Sequence, residues 1–220
     1  MRPAHQPAEV IERVATPRGE LQLQRRGEAY EVISNGSFLM ATYNGESEGA
    51  LIRLAQRWVP NPRRILVGGL GVGYTLRAAL DCSAVERVTV VEIEPKVVDW
   101  NRTHLAPFHG RALDDSRTDL VVADFAAFLS HGAAEPYDLI ALDTDNGPDW
   151  IVFAENAMLW GPEGLAHLSR MLAPGGVLAF WSASASPRFE ALLLSRYREV
   201  LAIPVAAAAA AEDDVVYLAR

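Results

Sequence analysis

The chain has 220 residues, half of them hydrophobic, which is enough for one α/β domain plus a small appendage and excludes wholesale disorder. Its formal charge of -8 excludes a general nucleic-acid binder, because phosphate contacts need a positive surface; an acidic surface suits a cationic substrate or simply solubility. A single cysteine, Cys82, excludes an internal disulfide framework and any cysteine-based metal cluster.

Residues 1–9 are Pro-rich and polar, without the apolar centre of a signal peptide. No apolar run approaches the roughly 18 residues that span a bilayer. The expectation is a cytoplasmic protein with no membrane partner. Residues 10–48 contain short alternating runs such as Glu20-Leu21-Gln22-Leu23-Gln24, punctuated by Thr16-Pro17-Arg18-Gly19 and Arg26-Gly27. Asn35-Gly36 after Tyr30-Glu31-Val32-Ile33 is the strongest hairpin signal in the chain. Two β-hairpins are expected in a small region, 1–48, that must pack on its neighbour to be stable.

Apolar spacing over 48–59 (Ala50, Leu51, Leu54, Ala55, Trp58) predicts a helix, broken by Pro60-Asn61-Pro62. Strand and helix then alternate: strands over 65–67, 88–93, 120–123, 139–143 and 177–181, with helices over 73–80, 95–104, 124–130, 163–172 and 187–196. Pro95 suits a first helical turn, where its missing N–H has no partner to lose. Pro174-Gly175-Gly176 is expected to turn the chain into the fifth strand, and 200–205 and 215–218 to close the sheet. The alanine run 206–211 is too short for a stable helix and is expected to be a loop. The fold class is therefore α/β, a doubly wound, Rossmann-like, mostly parallel sheet of seven strands over 49–220.

Four features converge on one rim of that sheet. Gly68-Gly69-Leu70-Gly71-Val72-Gly73 lies between the first strand of the alternating series and its helix, where glycines let backbone N–H groups approach a ligand. Tight packing or a dinucleotide site produces such a turn as well. Glu92 ends the next strand in Val90-Val91-Glu92-Ile93, placed to accept the hydroxyls of a ribose; an exposed strand-ending acid is the plain alternative. Asp124 follows the third strand, where it can accept from an adenine amino group while Phe125 covers the ring, or simply cap a helix. Asp143 ends the fourth strand in Tyr137-Asp138-Leu139-Ile140-Ala141-Leu142-Asp143, beside the crevice where the strand order reverses.

In order and spacing these features resemble the class I S-adenosylmethionine-binding fold. The N-terminal hairpins, the Val91-Glu92-Ile93-Glu94-Pro95 run and Asp143-Thr144-Asp145-Asn146-Gly147-Pro148 narrow the resemblance to the spermidine synthase (polyamine aminopropyltransferase) family. It implies Gly68, Gly69, Gly71, Gly73 and Ile93 around the nucleoside and methionine portion, Glu92 on the ribose, and Asp124 with Phe125 at the adenine. Asp143 would orient or deprotonate an attacking amine, with Asp145 adding negative charge; an ordinary solvated turn at Asn146-Gly147 is the alternative for Asp145. The implied co-substrate is decarboxylated or intact S-adenosylmethionine, the partner a small amine acceptor such as a polyamine, and the assembly a homodimer.

The chain also departs from that family. Where its glycine loop carries an Asp for the donor's free amine, Gly71 stands here, and the Tyr-His pair after the hairpins is absent, with Glu48 followed by Gly49-Ala50. An Asp at 71 would repel the carboxylate of intact S-adenosylmethionine. The resemblance makes aminopropyl-type transfer the leading expectation; Gly71, by removing that repulsion, keeps methyl or aminocarboxypropyl transfer as an alternative, and a non-catalytic nucleoside-binding protein is a further one. Trp150, Trp160 and Trp181 serve as acceptor-pocket walls or as core, with core packing expected for at least two. His104, His109, His131 and His167 lack metal-ligand spacing, so no metal is expected.

Overall fold

The computed structural model describes residues 6–144, 146–151, 154–206 and 213–220. Strands β1 (Glu9–Thr16), β2 (Gly19–Arg26), β3 (Ala29–Ser34) and β4 (Ser37–Ala41) form an antiparallel sheet in the order β1-β2-β3-β4. Ser34 pairs with Ser37 across a two-residue turn in which Asn35 and Gly36 take φ values of 49° and 79°. That positive-φ pair matches the twist of the flanking strands and explains why Asn-Gly specifies the hairpin. The alternation in β2 puts Leu21 and Leu23 on one face, and with Val32 they pack against Val97, Trp100 and Leu105. Each such buried side chain contributes on the order of 1.5–3 kcal/mol. Polar ties hold the same seam: the Trp100 indole N–H donates to Glu12 Oε2 at 2.8 Å, and Lys96 Nζ lies 2.8 Å from Glu12 Oε1.

Helix α1 (Glu46–Ala55) begins two residues before the expected start. There follow β5 (Arg64–Gly68), α2 (Tyr74–Leu80), β6 (Arg87–Glu92), α3 (Pro95–Arg102), β7 (Thr118–Val122), α4 (Phe125–His131) and β8 (Tyr137–Leu142). A 3-10 segment, Ala154–Trp160, which the sequence did not announce, leads to α5 (Pro162–Met171), β9 (Leu172–Ser182), α6 (Pro187–Leu194), β10 (Val200–Val205) and β11 (Asp214–Ala219). The second sheet runs β10-β11-β9-β8-β5-β6-β7, parallel from β9 to β7, with β11 antiparallel to both of its neighbours. The expectation of seven mostly parallel strands holds.

Central strands are buried on both faces, so they read as unbroken apolar runs. Ile65 and Val67 share one core with Leu51, Ile52 and Leu76 of α1 and α2. Leu66 faces the other core, with Phe125, Leu165, Leu168 and Phe189 from α4, α5 and α6. The turn expected at Pro174-Gly175-Gly176 lies inside β9: Tyr137 pairs with Leu172 and Leu139 with Val177, so the intervening residues form an irregularity of the β8–β9 ladder. The strand is thereby longer than its apolar run. The alanine run, beyond Ala206, falls outside the described residues.

Chain order turns one way from β5 through β6 to β7 and the other way from β8 to β9. The crevice between β5 and β8 opens at their carboxyl ends, the place where such sheets bind ligands.

Candidate functional site

A cleft of about 1090 Å³, open mouth included, occupies that crevice. Its floor is the turn after β5, its sides are the ends of β6, β7 and β8, and Leu21, Leu39 and Met40 of the N-terminal sheet close it from above. The small sheet is thus a wall of the site.

The glycine turn has backbone reasons for its composition. Gly69 has φ of 91°, donates its N–H to Val91 O at 2.9 Å, and would bring any Cβ to 2.2 Å from the carbonyl oxygen of Asp143. Only glycine fits there. Gly71 also has positive φ, at 53°, but a Cβ would meet nothing nearer than Met40 Sδ at 3.8 Å. Gly69 and Gly71 line the cleft; Gly68 and Gly73 do not. Those two make room for packing instead, since a Cβ on Gly68 would meet the Phe125 ring at 2.9 Å and one on Gly73 the His109 ring at 2.8 Å. Asn101 donates from Nδ2 to Gly71 O at 2.8 Å, and His109 Nε2 donates to Asn101 O at 3.1 Å while Nδ1 accepts from Ala112 N–H at 2.9 Å. That pattern is a neutral imidazole used as a strut, and burial pushes its pKa down.

Glu92 lines the cleft as expected, yet its carboxylate also builds the loop. Oε2 accepts from Leu70 N–H at 2.9 Å and Oε1 from Glu94 N–H at 2.8 Å. Each oxygen keeps capacity for a further bond. Burial raises its pKa against the pull of those backbone donors. Ile93 and Phe125 line the cleft with it. Asp124, between lining residues Ala123 and Phe125, does not; its Oδ1 accepts from Ala127 N–H at 2.8 Å and caps α4.

Asp143 reaches the cleft from the end of β8. Thr75 Oγ1, on α2, donates to its Oδ2 at 2.6 Å. Glu48, from the first turn of α1, lines the same cleft, a residue the sequence reading noted only as a departure. Burial pushes Glu48 up to about 8, helped by the charge of Asp143. Burial likewise raises Asp143, to about 6; the Thr75 hydroxyl pulls it back, while Asp214 and Glu92 push it further up. Two such carboxyls behave as a pair that keeps a proton into the neutral range. Glu48 was hidden because its partner is far away in sequence and its own segment reads as an amphipathic helix.

Among the tryptophans, Trp181 lines the cleft, Trp160 is buried against Phe180 and Phe189, and Trp150 is 64% exposed. Asp145 lies outside the described residues. Among the described residues no group of His, Cys, Asp and Glu has the arrangement of a metal site, and no helix is long and apolar enough to cross a membrane.

Residues 48–199 match the spermine/spermidine synthase domain. The chain is 34% identical over 126 residues to a polyamine aminopropyltransferase of Sulfolobus acidocaldarius, covering 57% of this chain and 40% of that one. It is also 34% identical over 130 residues to putrescine N-methyltransferase 2 of Nicotiana attenuata, covering 58% of this chain and 33% of the relative. It therefore spans about a third to a half of the length of the curated relatives it matches. A spermidine synthase solved in complex with the transition-state analogue AdoDATO superposes with a TM-score of 0.80 at 17% identity, covering 96% of this chain and 73% of that one. Spermidine synthase from Thermotoga maritima gives 0.78, also at 17%, covering 96% and 72%.

Proposed function

The chain belongs to the spermine/spermidine synthase domain family, and from that premise we propose that it is a transferase moving an aminopropyl-type group from an S-adenosylmethionine-type sulfonium donor to an amine acceptor. The observation that carries this reading is the charge of the cleft: Glu48, Glu92, Glu94 and Asp143 line it, and no Lys, Arg or His is among its described lining residues. Such a cleft concentrates cations. Decarboxylated S-adenosylmethionine and a polyamine are both cationic, so donor and acceptor each fit the lining.

A bound sulfonium donor supplies an electrophilic carbon next to a thioether leaving group. The chain's residues do the rest. Gly69 and Gly71 offer backbone approach, Glu92 accepts from the ribose with its remaining lone pairs, and Phe125 packs at the base. Asp124 stands beside the lining rather than in it, and the carboxylate oxygen not used to cap α4 is the one this reading assigns to the adenine edge. Asp143 orients the acceptor nitrogen and receives its proton, freeing the lone pair that attacks. General-base assistance of this kind is worth roughly 10²–10⁴ in rate. Asp145 belongs to this proposal as additional negative charge at the acceptor.

A second reading rests on Gly71. Position 71 itself carries no carboxylate to repel that of intact S-adenosylmethionine, and a Cβ there would meet nothing nearer than Met40 Sδ at 3.8 Å; putrescine N-methyltransferases stand among the relatives. On that reading the group moved is a methyl. Calorimetry with the two donors side by side, followed by product analysis with putrescine, tests both. Tighter binding of the decarboxylated donor and release of methylthioadenosine support aminopropyl transfer. Tighter binding of the intact donor and release of S-adenosylhomocysteine transfer the conclusion to the second reading; binding with neither product leaves a nucleoside-binding protein.

A further inference from the structure

We propose that Glu48 and Asp143, which line one cleft from α1 and from the end of β8, work as one cation-binding unit for a single primary ammonium of the acceptor, so that Glu48 is a specificity-determining residue of this site. The inference rests on the functional reading above for the nature of that cation, an acceptor amine.

Geometry brings the two carboxylates to one place from different parts of the fold. Glu48 comes from α1 and Asp143 from the end of β8, and both line the cleft with Trp181. Thr75 links their supports: its Oγ1 lies 2.6 Å from Asp143 Oδ2 and 3.2 Å from the backbone oxygen of Glu48. Ser47 Oγ donates to Glu48 Oε2 at 3.2 Å, a weak tether, and the backbone N–H of Glu48 also bonds to its own carboxylate.

Among the described residues that line the cleft there is no Lys, Arg or His to serve as counter-ion for the pair. The titratable groups facing it are Asp143 and Glu48 themselves, Asp214 on β11, Glu92 at the end of β6 and Tyr74 on α2, all acids. Arg53, on the same helix as Glu48, is committed to Glu46 at 2.6 Å. Neighbouring buried carboxylates cannot both ionise unaided, so the pair holds a proton or takes a cation from outside. An alkylammonium satisfies both oxygens through its N–H donors while its methylene stem lies against the Trp181 indole. Its arrival makes the dianionic form of the pair favourable, and the proton the pair held leaves to solvent. The same open pair can then accept a proton from the ammonium, which generates the neutral amine.

The test is calorimetric titration of the full chain with putrescine at pH 7, repeated in two buffers that differ in ionisation enthalpy. The wild type is expected to release up to about one proton per diamine bound. Glu48→Gln is expected to bind roughly ten- to a hundredfold more weakly, the range for a lost charge-assisted hydrogen bond, and to release none. Glu48→Asp should retain proton release at intermediate affinity. An unchanged far-ultraviolet circular dichroism spectrum in both variants shows that the fold is intact. Equal diamine binding by Glu48→Gln and wild type, absence of proton release in the wild type, or failure of the wild type to bind the diamine overturns the inference. Diamine binding with proton release but no transfer product sinks the functional reading alone; transfer to another nucleophile without diamine binding sinks only this inference.

Discussion

At the scale of single residues, the two cleft glycines make opposite demands. Gly69 admits no side chain, because a Cβ would overlap the Asp143 carbonyl oxygen at 2.2 Å. Gly71 has room for one, at the strain of a φ of 53°, which is tolerable for Asp, among the residues most often found in that region. Gly71→Asp is therefore expected to fold and to move donor preference toward decarboxylated S-adenosylmethionine, by several-fold or more if the new carboxylate is desolvated. Competitive calorimetry with the two donors checks this, and an unchanged ratio means that position 71 does not meet the donor's amino-acid end. Glu48 shows the limit of reading residues singly. Its meaning depends on Asp143, and nothing local in Glu46-Ser47-Glu48-Gly49 points to a partner contributed by β8.

At the scale of elements, Asp124 carries two roles that mutation can separate. Its cap on α4 is visible in the bond to Ala127 N–H, and removal of such a cap is worth about 1 kcal/mol. Asp124→Asn keeps a capping oxygen, so its thermal stability should stay near that of the wild type, whereas Asp124→Ala should lose about that amount. A fall in donor affinity common to both variants marks the adenine contact; unchanged affinity in Asp124→Asn leaves only the cap. The parallel strands were legible because burial on both faces writes uninterrupted apolar runs such as Ile65-Leu66-Val67 and Leu139-Ile140-Ala141-Leu142. The Asn35-Gly36 hairpin was legible because one turn type demands that pair. The start of β9 was not, since Pro174-Gly175-Gly176 has the composition of a turn while the ladder resumes on both sides of it. Nor was the purpose of the small sheet. That Leu21, Leu39 and Met40 roof the cleft follows from how β2 and β4 lie over α3, a long-range arrangement that alternation in a strand cannot express.

At the scale of the whole molecule, the cleft stores electrostatic tension. Glu48, Glu92, Asp143 and Asp214 all have raised pKa values, with burial as the leading cause. The folded chain thus keeps protons that the unfolded chain has already lost. Stability from this source is complete below the ordinary carboxylate range and declines as pH rises through about 6 and about 8, the values of Asp143 and Glu48. Each retained proton is worth about 1.4 kcal/mol per pH unit across its window. Denaturation midpoints measured from pH 5 to 8.5 should fall, with a shallower fall in Glu48→Gln; a flat profile means that these carboxyls ionise freely. The placing of β11 carries a different consequence, one of timing. Its six residues are all buried, and it stands between β9 and β10 although β10 precedes it in the chain. During synthesis β10 therefore emerges before β11, the strand it pairs with in the finished sheet, while the β9 edge that β11 will cover is still bare. Both wait for residues 214–219, and the sheet is completed out of the order in which the ribosome delivers it.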